Sequence, residues 1–233
     1  MSLVPLLSLG FALGMAHATD ADHVIAVSTI VGDRTRTDGR TEAGGPLGWL
    51  ARAVSALKTA VRVGSMWGLG HTLTVLAVGG VLVGFRLVMP ASLGLGLELC
   101  VAIMLIALGV LSLQKLHAPH AHPSRGPLRS FGVGVVHGLA GSAAVALAVL
   151  SEVDSPALGM AYLGVFGLGT VLGMTLITSA LVMPFALSLR SGRTLLWVQR
   201  GAGALSLVFG VALFLKIGFV EGLFTGSPTW TAR

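Results

Sequence analysis

Residues 3–31 read LVPLLSLGFALGMAHATDADHVIAVSTIV, an apolar run interrupted near its middle by His17, Asp20, Asp22 and His23. A helix needs about 20 predominantly apolar residues to cross the hydrocarbon core, and this run exceeds that length, so it accommodates tilt or a break. Ionisable groups at membrane depth cost about 2.5–3.5 kcal/mol each on the insertion scale. Four of them between His17 and His23 therefore require compensation from a partner, an ion or water. Apolar positions resume at Val24 and continue to Val31, which places the cluster inside the span and not at its end. The run opens at Met1–Phe11 without a basic leader segment and is read as the first span, not as a cleaved signal.

Five further stretches reach spanning length, at 63–85, 92–114, 131–151, 156–184 and 198–219. With 54% hydrophobic and only 10% charged residues, the composition belongs to a chain whose solvent is the bilayer. The expected fold is an all-α integral membrane protein of six transmembrane helices forming one domain over residues 1–233. The net charge of +6 points to topology and not to nucleic acid, because twelve of the fifteen Lys and Arg residues fall after spans one and three or around the start of span six. The loop at about 32–62, with Arg34, Arg36, Arg40, Arg52, Lys58 and Arg62, is expected on the cytoplasmic side of a bacterial inner membrane, and both termini outside. Within it, Trp49 to Val61 has the amphipathic pattern of an interfacial helix leading into span two. Cys100 is the only cysteine, which excludes an intrachain disulfide or a Cys-based metal cluster.

The chain also resembles itself. Phe11, Gly14 and His17 keep register with Phe131, Gly134 and His137, and Trp67-Gly-Leu-Gly-His71 keeps register with Phe166-Gly-Leu-Gly-Thr170. A third pairing sets Glu98 with Gln199 and Gly109 with Gly210. Repeat 1 then covers about 1–116 and repeat 2 about 128–221, each with three spans. An odd number of spans inverts the second copy, a plan in which substrate sites lie near the midplane between repeats. Glycine pairs four residues apart, such as Gly10 with Gly14 and Gly169 with Gly173, suit close helix approach.

Imidazole and carboxylate together suit borderline first-row divalent ions such as Ni²⁺, Co²⁺ and Zn²⁺. On an unbroken helix, at about 100° per residue, Asp20 and His23 share a side with His17, whereas Asp22 points away. Either Asp22 then acts as a counter-ion behind the ligands, or the helix is unwound near Ala18–Ala21 and Asp22 reaches the ion. His71 and His137, at corresponding depths in spans two and four, extend the expected metal set to His17, Asp20, Asp22, His23, His71 and His137. Thr72, Ser142 and Glu98 are candidate cavity-lining residues, Glu98 near the outer mouth. His117, His120 and His122 form a candidate metal-capture loop.

The His-x4-Asp-His spacing of His17, Asp22 and His23, with the Leu-Gly-His-Thr segment ending in His71-Thr72, resembles the signature motifs of the nickel/cobalt transporter family. That resemblance implies transport of Ni²⁺ or Co²⁺ and gives Asp22 the principal acidic role. Ala16 stands where that family has Arg, six spans stand where it has eight, and His137-Gly-Leu-Ala-Gly-Ser142 replaces an acidic motif. The last stretch is more similar to the urease-accessory UreH-type proteins of the same superfamily. Metal efflux is the alternative within transport. A membrane-embedded metalloenzyme is the alternative outside it, but His-Glu-x-x-His and Gly-x-Ser-x-Gly motifs are both missing. The expected partners are thus a metal substrate and the lipid bilayer, with no catalytic cofactor.

Overall fold

The structure, a computed structural model, describes residues 3–38, 48–87, 89–115, 128–140, 153, 155–188 and 192–230. Among these there are helices and turns but no strands. The helices are α1 (Leu3–His17), α2 (Ala21–Asp38), α3 (Gly48–Thr74), α4 (Gly80–Phe85), α5 (Ala91–Lys115), α6 (128–140), α7 (Pro156–Ser188) and α8 (Gly192–Leu215). A π-helical turn at Val75–Gly79 joins α3 to α4, and another at Lys216–Val220 prolongs α8.

Among the described residues, four helical segments are long and apolar enough to cross a membrane: Ala53–Phe85, Ala91–Gln114, Pro156–Val182 and Leu196–Val220. The pair Leu3–His17 and Ala21–Ile30 forms a fifth if taken as one span, bent by 52° at its break. The chain is a multi-span helical membrane protein. Of the stretch expected to span at 131–151, residues 128–140 are described, and they are helical. Ser142, His117, His120 and His122 lie outside the described residues.

The start of α3 differs from expectation. Trp49–Val61 is not a separate interfacial helix but the opening turns of α3, since neither Gly nor Pro interrupts the chain between Leu50 and Val63. Leu50, Val54, Leu57 and Val61 form an exposed apolar stripe on those turns, as a helix lying against lipid requires. On α7, Leu168, Leu172 and Leu176 form another.

The centre of the molecule is built around α2. Ile25, Ala26, Val27 and Ile30 pack with Ala60, Val63 and Trp67 of α3 and with Val101, Leu105 and Leu108 of α5. Around it, helices touch at glycines, and the contacts come in exchanged pairs. A side chain at Gly14 of α1 would collide with the backbone of Phe166 and Thr170 in α7, while one at Gly134 of α6 would collide with the backbone of Trp67 and His71 in α3. Conversely, Gly169 of α7 faces Phe11 and Met15, and Gly70 of α3 faces Phe131 and Val135. Between α5 and α8, Gly109 meets Gly203 and Leu207, and Gly210 meets Ala102 and Ile106. Such contacts let helix backbones approach closely in a lipid environment, where van der Waals packing drives association.

Candidate metal centre

The break between α1 and α2 is local chemistry. The Thr19 N–H donates to the Ala16 carbonyl at 2.8 Å and the Asp20 N–H to the His17 carbonyl at 3.2 Å, three-residue turns in place of four. The Thr19 hydroxyl also donates to the Ala16 carbonyl, at 2.6 Å. Thr and Asp compete with helical hydrogen bonding through their own side chains, and α2 restarts with the Val24 N–H on the Asp20 carbonyl and Asp22 in its first turn, where the helix dipole favours an acid.

The bend turns the last residue of α1 toward the first turn of α2, so the rings of His17 and His23 stand 4.7 Å apart between centroids. His71 of α3 completes a triangle at 5.1 Å from His17 and 5.6 Å from His23. His137 of α6 stands 4.1 Å from His23. Trp67 stacks on His23 and Phe166 lies beside His17, closing two walls with aromatic surface.

Two carboxylates hold these rings from outside. Nδ1 of His17 meets Asp20 Oδ2 at 2.8 Å, and Nδ1 of His23 donates to Asp22 Oδ1 at 3.1 Å. The second oxygen of Asp22 accepts from His137 Nε2 at 2.9 Å. Proteins commonly fix metal-ligating imidazoles in this way, a carboxylate on one nitrogen setting the tautomer and leaving the other nitrogen's lone pair for the ion. Nε2 of His17, Nε2 of His23 and both nitrogens of His71 are buried with no hydrogen-bond partner. One nitrogen from each of His17, His23 and His71 lies within 4.8 Å of the others, and a second such set joins Asp22, His23 and His137. With metal–nitrogen bonds of about 2.0–2.1 Å, small side-chain rotations bring either set onto one ion.

A cavity of about 310 Å³ opens beside the cluster, lined by His17, Asp20, Asp22, His23, His137 and Glu98 together with apolar residues of α5 and α8. Glu98 accepts a 2.8 Å hydrogen bond from the Trp230 indole N–H, and Trp230 lies against Gly94 one turn earlier on α5. Thr72 does not line this cavity: its hydroxyl donates to the Gly167 carbonyl at 3.0 Å, serving the α3–α7 contact. Asp22 as a bridge between two histidines, and Trp230 as an anchor for Glu98, are connections the sequence did not suggest. Its depth in span four, matching that of His71 in span two, and its register match with His17 were the signals that drew His137 toward the site.

No family model and no solved structure matches the chain. It is 35% identical, over 241 aligned positions covering 96% of both chains, to the urease accessory protein UreH of Bacillus sp. (strain TB-90). The chain belongs to the UreH family. That family is related to the nickel/cobalt transporters, in keeping with the resemblance of the His17–His23 and His71 segments. At this level of identity the alignment extends over nearly the whole chain, so UreH membership applies to the bundle and not to one motif.

Proposed function

We propose that the chain is a secondary transporter that moves a divalent transition-metal cation, Ni²⁺ or Co²⁺, across the bacterial inner membrane. The observation that carries this reading is the trio His17, His23 and His71: three imidazoles from three helices, two buried and His17 half-buried at the cavity wall, converging and bearing unpartnered nitrogens inside an apolar bundle. Buried polar atoms are normally satisfied, and an apolar bundle gains nothing from three that are not unless a ligand uses them. The UreH relative's designation as a urease accessory protein and the family's kinship to nickel/cobalt transporters favour nickel as the cargo.

The exchanged glycine contacts support two inverted three-span repeats making six spans. Gly14 faces Phe166 and Thr170 as Gly134 faces Trp67 and His71, and these are the residues that the internal sequence match pairs. In that frame His17 and His137 are counterparts, as are His71 and Thr170, and the ion lies where the repeats meet. The Thr170 hydroxyl donates to the Phe166 carbonyl, so the second repeat offers no imidazole there and the site is one-sided.

Proteoliposomes containing the purified protein should accumulate ⁶³Ni above protein-free vesicles, with Co²⁺ competing. Tight nickel binding without flux would mark the protein as a metal-holding accessory subunit instead. Reporter fusions test orientation: C-terminal fusions should read external, and fusions near Arg36 or Pro119 cytoplasmic. The reverse pattern would invert the bundle.

A further inference from the structure

We infer that the centre holds one cation in either of two overlapping positions that share His23. This rests on the transport reading above and gives it an internal route. The outer position comprises Asp22, His23 and His137, all on the cavity wall. The inner position comprises His17, His23 and His71. His71 is wholly buried and is not on the cavity wall, so an ion arriving through the cavity meets Asp22 and His137 before it can meet His71.

The two positions differ chemically. In the outer one, Asp22 stands 3.1 Å from His23 Nδ1 and 2.9 Å from His137 Nε2. These two spacings are hydrogen bonds to different oxygens, Oδ1 and Oδ2; an ion there displaces the ring protons and takes one carboxylate oxygen with one nitrogen from each ring, atoms that lie within 4.8 Å of one another. The carboxylate offsets part of the ion's charge, and the adjoining cavity has room for water on the remaining sites. The inner position has three imidazoles, no directly ligating carboxylate and aromatic walls. It suits a largely dehydrated ion and favours nitrogen-seeking metals over Mg²⁺ or Ca²⁺.

His23 makes the positions mutually exclusive. Its Nδ1 faces Asp22, while its Nε2 is buried and unpartnered. A neutral imidazole has one N–H and one lone pair, so His23 ligates through one nitrogen at a time, and one tautomer serves each position. Transfer from outer to inner exchanges an oxygen-containing, hydrated shell for an all-nitrogen one, and discrimination among cations falls at that exchange.

The test is equilibrium Co²⁺ binding to the purified full-length protein in detergent, read by bound metal per chain and by the visible absorption of the ion. Wild type should bind one Co²⁺ per chain. His71→Ala should still bind one, at least tenfold more weakly, with the faint absorption of a six-coordinate ion. His137→Ala should bind one with the intense absorption of a four-coordinate ion, and His23→Ala should bind none. His71→Gln and His137→Gln, which keep side-chain volume, should reproduce the Ala variants, and each variant is compared at matched size-exclusion elution. Complete loss of Co²⁺ from well-folded His71 or His137 variants, identical spectra in both, or two ions per wild-type chain would each overturn the shared-ligand arrangement while leaving a metal centre in place. A wild type that binds no Co²⁺ and no Ni²⁺ would instead remove the transport reading itself.

Discussion

Asp22→Asn should reduce ⁶³Ni uptake into proteoliposomes by about 10²–10⁴-fold, whereas Asp20→Asn should reduce it by roughly 10-fold. Losing one outer carboxylate from a metal-bound histidine typically costs 10–100-fold. Asp22 does more: it is itself a ligand beside His23 and His137 in the outer position, and its oxygens accept separately from those two rings. An asparagine has one acceptor oxygen and an NH₂ that can only donate, so one of those two imidazoles must turn or lose its partner. The substitution also removes the negative charge that balances the ion at membrane depth. Asp20 touches His17 alone, and its side chain is 53% exposed against 28% for Asp22, so water replaces much of what it supplies. The comparison is internal to one assay. A larger defect in Asp20→Asn would mean that His17 carries the site and that the Asp22 bridge is incidental.

The contrast between these two aspartates shows how far the sequence could be read. Apolar runs located the helices because spanning length is a one-dimensional property, and the ionisable cluster from His17 to His23 inside one of them raised the expectation of unwinding near Ala18–Ala21. Continuous-helix geometry favoured Asp20 and the family resemblance favoured Asp22. The structure has the break at Ala18–Asp20, which permits Asp22 to reach both His23 and His137. That bridge was not legible, since Asp22 and His137 are 115 positions apart and nothing in either helix's own pattern names the other. Helices that are apolar nearly all round also lack the polar face that tells a reader which side is inward, so Thr72, expected on the cavity, is found on a helix–helix contact. The start of α3 was misread for a related reason: an exposed apolar stripe looks the same on a separate interfacial helix as on the first turns of a continuous one.

Matched substitutions at Gly14 and Gly134 probe the repeat, and each to alanine should destabilise the protein by about 1–3 kcal/mol, the usual cost of forcing a methyl group into a filled contact. At both positions the new Cβ collides with a carbonyl oxygen of the facing helix, that of Phe166 for Gly14 and that of Trp67 for Gly134. Backbone cannot rotate out of the way as a side chain can, so the helices must separate. Gly84 provides the control, because a Cβ there meets nothing within 4 Å. Alanine at Gly84 should be neutral or slightly stabilising, given its higher helix propensity. Thermal unfolding midpoints in a single detergent measure all three. If the two contacts are counterparts in inverted repeats, the shifts for Gly14→Ala and Gly134→Ala should be alike. Transport should fail in Gly134→Ala even at temperatures where the protein stays folded, since that collision includes the His71 backbone, while the one at Gly14 falls on Thr170, which offers no imidazole. A large shift for one substitution and none for the other would show that the paired contacts are not equivalent, and the repeat would then rest on sequence register alone.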